Sequence, residues 1–300
     1  MRIFITGGTG FIGTHVVKEL QTEENLLLLL CRQPKTNFSS LEMPNVRSVQ
    51  GDLSDIASWE GQVKRFNPQV AIHMAWESIP NYDIKTSKKN LIYGLNLISM
   101  LAESGCRSVI CTGSCWEYGK QSGKLQEDMI LKPLNAFSAV KSALHWVGRE
   151  IAKEYDMSFI WTRLFFVYGP GQKETSLIPH VITHLRRGTI PDIKSPFAKN
   201  DFIYVGDVAR AISAIVKESE KGGLYNIGSG SSTSIQEIVE IIYEKLNLRN
   251  TCSIVNDPMN NAVVDFWADI SRMREEFGWE PKKSIDEGIQ EVIDSYIEKG

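Results

Sequence analysis

Three glycines at positions 7, 10 and 13, in the run TGGTGFIG, stand between a hydrophobic strand pattern and an amphipathic helical one. Each has a physical use. Gly7 lets the chain turn tightly out of the strand, Gly10 lets the backbone approach a pyrophosphate with no Cβ in the way, and Gly13 allows close packing of helix on strand. The free N–H groups where Phe11 and Ile12 open the helix, together with the helix dipole, then favour the bound phosphates. The chemistry to expect is the binding of a nicotinamide dinucleotide.

The end of the second strand separates the two forms of that cofactor. An acid there accepts hydrogen bonds from the ribose 2′-hydroxyl, whereas a base pairs with a 2′-phosphate. This chain has Cys31-Arg32 and no acid. A guanidinium offers planar, bidentate donors to phosphate, so NADP is expected ahead of NAD; Arg32 stacked on adenine or facing solvent is the alternative. Asp52 and Leu53, in GDL after the third strand, are placed to contact the adenine, the alternative for Asp52 being a helix cap.

These groups need a scaffold, and the first half of the chain has the pattern of one. Short aliphatic runs (RIFIT, LLLLLC, VRSVQ, VAIHMA, SVICTG, FIWTRL) alternate with helical patterns at Phe11–Gln21, Lys89–Ser104 and Ala139–Tyr155. That alternation predicts an α/β fold with a doubly wound parallel sheet, and the unbroken Leu26–Leu30 run fits a strand buried on both faces. From Tyr168 the texture changes to frequent turn signals, which predicts a smaller C-terminal α/β domain. The expected division is 1–168 with 201–220 returning to it for the dinucleotide, and 169–200 with 221–300 for the substrate. Asp201–Val216 reads as a strand then a helix, and Ser234–Leu246 and Ile285–Ile297 as amphipathic helices. Trp146 and Trp161 fall in helix and strand patterns and are expected in the core.

Composition narrows the partners. A net charge of -3 over 300 residues gives no general reason to expect nucleic acid or an anionic membrane, and no apolar run is long enough to span a bilayer. The cytoplasm is the default expectation. The five cysteines (Cys31, Cys106, Cys111, Cys115 and Cys252) show neither C-x-x-C spacing nor paired histidines, which argues against disulfides and against a metal site.

TGGTGFIG, GDL, HMAW, the Ser114 segment with YG, Lys141, RLFFVYGPGQ, DFIYVGDVA, YNIGSG and FGWEP together resemble the extended short-chain dehydrogenase/reductase family that acts on nucleotide sugars. The resemblance runs over nearly the whole chain. It implies a catalytic set of Ser or Thr, Tyr and Lys, the last two as Y-x-x-x-K on a helix. Ser114 and Lys141 match the first and third, while the tyrosine position holds Phe137. In the family mechanism the phenol exchanges a proton with the sugar oxygen as hydride moves, and the ammonium lowers the phenol pKa from about 10. Phenylalanine has no proton to give. With the rest of the set intact, a tyrosine altered to hold a complex is the preferred account; the others are a different donor, such as Ser114 or water, and loss of catalysis.

The resemblance also sorts reactions. Family 4,6-dehydratases place Asp-Glu after the serine, where this chain has Cys115-Trp116, and epimerases usually carry Asn where Phe166 stands. The pattern looks most like 4-ketoreductases that convert a dTDP- or UDP-linked 4-keto-6-deoxyhexose to its 6-deoxyhexose, with hydride from NADPH. A nucleotide-sugar 4-epimerase and an inactive NAD(P)-binding homologue are the alternatives. Ala75 and Asn90 are assigned to the cofactor cleft, and Asn90 could instead face solvent. Glu77, Ser78, Tyr82, Phe166 and Gln172 are assigned to the substrate, a plain loop being the alternative for the first three. A lid is expected around Gln172–Ile182. Where relatives often carry diphosphate-binding arginines this chain has Asn200 and the Met259–Asn261 run, leaving Lys199, Arg186 or Arg187 to supply the charge. A homodimer through the helices Lys89–Ser104 and Ala139–Tyr155 is implied by the resemblance alone.

Overall fold

The computed structural model describes residues 1–22, 24–33, 45–193, 195–248 and 265–297. From the N-terminus the chain runs β1 (Arg2–Thr6), α1 (Phe11–Leu20), β2 (Leu26–Cys31), β3 (Val46–Gln50), α2 (Glu60–Phe66), β4 (Val70–His73), α3 (Ile84–Glu103) and β5 (Ser108–Ser114). It continues with β6 (Gly123–Leu125), α4 (Ala136–Glu154), β7 (Ser158–Leu164), β8 (Phe166–Tyr168), α5 (Leu177–Arg186), β9 (Lys199–Asn200), β10 (Phe202–Tyr204), α6 (Val205–Lys217) and β11 (Gly223–Ile227). The last described elements are β12 (Thr233–Ser234), α7 (Ile235–Lys245), β13 (Phe266–Ala268), α8 (Ser271–Phe277) and α9 (Ile285–Ile297).

The chain divides into two compact units. The first comprises 1–119, 128–164 and 209–225, and the second 120–127, 165–208 and 226–300. The sequence boundaries differ from these in three places. The returning segment lies at 209–225 rather than 201–220, residues 165–168 fall in the second unit, where β8 pairs with β10, and residues 120–127 belong to the second unit because β6 pairs with β13, Phe266 opposite Gly123 and Ala268 opposite Leu125.

The first unit is built on a seven-stranded sheet in the order β11-β7-β5-β4-β1-β2-β3. The pairings of β1 with β2 and β4, of β2 with β3, and of β5 with β4 and β7 are all parallel. Strand order reverses direction between β1 and β4, and that reversal opens a crevice at the strands' carboxyl ends. Leu27 to Leu30 are buried, as a strand covered on both faces requires. α3 lies against α4 closely enough that a Cβ on Gly94 would stand 2.9 Å from Leu144, so glycine there sets the helix spacing.

Two helices start earlier than their hydrophobic period indicates, and in each case a polar residue caps the added turn. Asp83 accepts from the Thr86 N–H at 2.6 Å and starts α3 at Ile84, while Asn135 accepts from the Ser138 N–H at 2.9 Å and starts α4 at Ala136. The second cap puts Phe137 in the first turn of α4. Trp161 is fully buried as expected, but Trp146 is 49% exposed on α4 and is no part of the core. Its position falls on the outer stripe of the helix, where packing does not select residue type.

In the second unit, β8 and β10 pair in parallel and β9 and β12 antiparallel. The buried Asp201 carboxylate accepts N–H groups from Ser229 at 2.6 Å, Gly230 at 3.0 Å and Ala268 at 3.0 Å, fixing the turn after β11 to β13. Asp207 does similar work, taking the N–H groups of Lys282 and Lys283 at 3.0 Å each. Among the described residues no helix is long and apolar enough to cross a membrane.

Candidate active site

Among the described residues of the first unit, those that the sequence marks for chemistry follow the ends of β1 to β5, and α4 adds Phe137 and Lys141. Gly7 has φ +76, and a Cβ there would lie 2.6 Å from the Ala75 N, so the glycine loop rests directly on the backbone after β4. At Gly13 a Cβ would overlap the Gly7 carbonyl oxygen and stand 2.7 Å from the Gly8 Cα. A Cβ at Gly10, by contrast, would meet only Gly7 O, at 3.2 Å, and otherwise open space. Gly10 caps α1 with no side chain accepting its first N–H groups, at Phe11, Ile12 and Gly13. An uncapped helix start facing open space beside a glycine cradle fits a dinucleotide pyrophosphate.

One consequence is large enough to measure. Gly13→Ala must push Gly7 out of place, so it should abolish dinucleotide binding in a fluorescence titration and lower stability in urea by about 1–3 kcal/mol. Unaltered affinity would mean the loop is not the cradle.

The adenine end is less uniform. Arg32 is exposed just after β2, and its charge bears on Asp52, whose carboxyl is held low first by the Ser54 hydroxyl and N–H. Asp52 Oδ1 accepts from Ser54 N at 2.8 Å and Ser54 Oγ at 2.6 Å, so it closes a local turn and is not the helix cap of the alternative reading, because the next helical turn begins at Ile56 after Asp55. Leu53 packs on the core. Asn90 is buried rather than solvent-facing. Its side chain accepts from Glu77 N at 2.7 Å and donates to Thr86 O at 2.9 Å, which ties down the loop between β4 and α3.

Of the expected catalytic set, β5 delivers Ser114 and α4 delivers Phe137 and Lys141. Lys141 is buried; its Nζ donates to Thr112 O at 2.6 Å and lies 4.1 Å from the Trp76 ring centre. Burial pushes its pKa down to about 8, against the opposing pull of Glu117 and Cys111. Beneath it, His73 shares a 2.8 Å hydrogen bond with Thr6 Oγ1, and burial pushes its pKa down to about 3, so the ring is neutral. Ser114 Oγ accepts from Trp116 N at 3.2 Å.

Behind Ser114 lies a group that sequence reasoning did not reach. Glu117 is fully buried, accepts from the Ser114 N–H at 2.8 Å and Trp161 Nε1 at 3.1 Å, and pairs with the equally buried Arg163 at 3.2 Å. Burial raises its carboxyl above the usual range, offset in part by Arg163 and the donated N–H groups. Its partner and Trp161 are more than forty residues away in the chain, so local pattern carries no sign of the network.

Phe137 is buried among three aromatic rings, with centroid distances of 5.1 Å to Trp76, 5.0 Å to Tyr82 and 5.9 Å to Trp116. Tyr82 is thus brought against Phe137, while Glu77 and Ser78 stay in the loop, Ser78 in the left-handed region at φ +66. Trp76 Nε1 is buried with no hydrogen-bond partner among the described residues.

Phe166 and Gln172 belong to the second unit. Phe166 packs on Phe202 and Phe266, and Gln172 Nε2 donates to Val167 O at 3.0 Å. The segment expected as a lid is half helix: residues from Leu177 onward form α5, with Ile178, Val181 and Ile182 buried. Gln172 and Arg186 line an open cleft of about 370 Å³ with Glu174 and Tyr296, and Arg186 donates to Tyr296 O at 3.1 Å. Lys199 and Arg187 are exposed, and the Met259–Asn261 run and Cys252 lie outside the described residues. The other four cysteines are buried and form no disulfide among the described residues, and no group of three or more metal-binding side chains occurs among those residues.

Comparison with known proteins agrees with this geometry. The chain is 27% identical over 317 residues to the dTDP-4-dehydro-6-deoxyglucose reductase of Escherichia coli, covering 98% of this chain and 96% of that one. The dTDP-glucose 4,6-dehydratase of Bacillus anthracis, solved in complex with NAD, superposes with a TM-score of 0.87 at 26% identity, over 99% of this chain and 97% of that one. The UDP-glucose 4-epimerase of Thermotoga maritima, solved with UDP-glucose, shares the fold with a TM-score of 0.87 at 22% identity, over 100% and 99% of the two chains. Residues 3–228, which carry the glycine cradle, Ser114 and Lys141, match the NAD dependent epimerase/dehydratase family, and the chain belongs to that family of enzymes.

Proposed function

We propose that this enzyme reduces a nucleotide-linked 4-keto-6-deoxyhexose, dTDP- or UDP-bound, to the 6-deoxyhexose, with NADPH preferred to NADH. The observation that carries the reading is the pairing of Phe137 with Ser114 and Lys141. Chemistry that begins by oxidising a sugar hydroxyl needs a base at position 137 to remove its proton, and a phenyl ring cannot do so. Chemistry that begins with a ketone needs donors instead. Ser114 has a hydroxyl, Lys141 has N–H groups beyond the one given to Thr112, and both suit a ketone oxygen that gains charge as it is reduced.

The bound cofactor would supply hydride. The glycine cradle would hold its pyrophosphate, Lys141 its nicotinamide ribose, and Arg32 the 2′-phosphate that distinguishes NADP. Trp116, in place of a carboxylate, offers no acid or base for dehydration. A homodimer through α3 and α4 belongs to the same reading, supported by the exposed Ile92, Trp146 and Val147 on those helices.

The test follows NADPH absorbance with dTDP- and UDP-linked 4-keto-6-deoxyhexoses, for the wild-type chain and for Phe137→Tyr. Consumption with at least one sugar, and tighter binding of NADPH than NADH, is the expected result. No consumption by either protein overturns the reductase reading. Protein purified with retained NAD that interconverts C4 epimers without added reductant would establish a 4-epimerase instead.

A further inference from the structure

We propose that Tyr82 supplies the proton that position 137 cannot, an inference resting on the ketone-reducing reading above. The Tyr82 ring lies with its centre 5.0 Å from that of Phe137 and 5.1 Å from that of Trp116, whose backbone N–H donates to Ser114 Oγ. Lys141 Nζ stands 5.9 Å from the same Phe137 ring. A tyrosine ring and an ammonium therefore flank the phenylalanine, and Ser114 joins the same cluster through the Trp116 backbone, with the tyrosine carried by a different element.

Two further observations support the assignment. No hydrogen-bond partner of the Tyr82 hydroxyl is found among the described residues, although the side chain is half-buried and burial raises its pKa. It is thus a protonated, unengaged donor at neutral pH. The loop that carries it is also held firmly: Asn90 binds Glu77, Asn81 N donates to Ser78 O at 2.6 Å, and Asp83, the next residue, caps α3. Ser114 is the poorer candidate, because an aliphatic hydroxyl is a weaker acid than a phenol of pKa about 10.

The step balances as follows. The ketone carbon receives hydride from a reduced nicotinamide, the C=O π bond opens onto oxygen, and that oxygen takes the proton from Tyr82 Oη. Water then returns a proton to the Tyr82 phenolate, which its partial exposure permits.

The experiment compares wild type, Tyr82→Phe, Phe137→Tyr, the double variant and Ser114→Ala. NADPH consumption is measured with the dTDP- and UDP-linked ketosugars, and calorimetry gives the affinities of NADPH and of each ketosugar alone. Tyr82→Phe should lower kcat on the order of 10²–10⁴-fold and leave NADPH affinity unchanged. It should weaken ketosugar binding about 2- to 10-fold through one lost hydrogen bond. Adding Phe137→Tyr to it should restore turnover, a rescue that a purely structural role for Tyr82 would not allow. Wild-type turnover in Tyr82→Phe, whether or not Ser114→Ala loses activity, or loss without rescue, overturns the proposal. An inert wild type beside an active Phe137→Tyr overturns it too and leaves the reductase reading standing. If both are inert, both readings fall.

Discussion

Lys141→Met should give a protein that no longer turns over substrate yet unfolds at a higher temperature than wild type at pH 7. The ammonium is buried, and its pKa lies at about 8 in the fold against 10.5 when unfolded. Below pH 8 both states carry the proton, so the fold bears the whole penalty of a buried charge. Between the two values the unfolded chain binds the extra proton and folded stability rises with pH. The difference corresponds to about 3 kcal/mol, from which the lost Thr112 hydrogen bond and Trp76 contact subtract about 1–2 kcal/mol. The net gain of about 1–2 kcal/mol at pH 7, several degrees by thermal melt, should shrink as pH approaches that of an ordinary lysine. A variant that melts below wild type at pH 7 would show that the buried cation stabilises the fold, contrary to this account. Such a gain on removal of an active group is the signature of stability given up for function.

Glu117→Ala should have the opposite effect on stability and a larger one. It takes away the carboxylate that faces the buried Arg163 and the acceptor of both Ser114 N and Trp161 Nε1. Breaking one side of a buried ion pair costs about 3–5 kcal/mol, so urea unfolding should shift by that amount. Glu117 also supports the charged form of Lys141, so Glu117→Gln should move the Lys141 titration below its present value of about 8, readable by NMR of labelled lysine. A stable Glu117→Ala with an unmoved lysine would show that the network does not reach the site.

The parts of this molecule legible in its sequence are those encoded over short spans. Gly7, Gly10 and Gly13 shape their loop within one turn, and Leu27 to Leu30 announce a strand covered on both faces, so the tight loop and the sheet are legible directly. The starts of α3 and α4 are not legible in the hydrophobic period, which fades over their first turns, where Asp83 and Asn135 act through side-chain oxygens instead. Phe137 could be located by its spacing from Lys141, but its neighbour Tyr82 arrives from a separate loop, and Glu117 meets Arg163 only once β5 and β7 are paired. Trp146 misled because a large apolar side chain is ordinarily inside, whereas this one stands on an outward face.

The short strand β6 has to wait for β13, the two being separated by some 140 residues of intervening chain, with Gly123 N finally donating to Asp265 O at 2.8 Å. On the ribosome the strands of the parallel sheet are complete by residue 227, while that small ribbon cannot close until the nascent chain has emerged past Ala268. Synthesis therefore leaves residues 120–127 as an unsatisfied edge for longer than any other part of the fold's first half. Ribosome-stalled chains ending before residue 265 should be nicked there by protease, and those extending beyond α8 should resist.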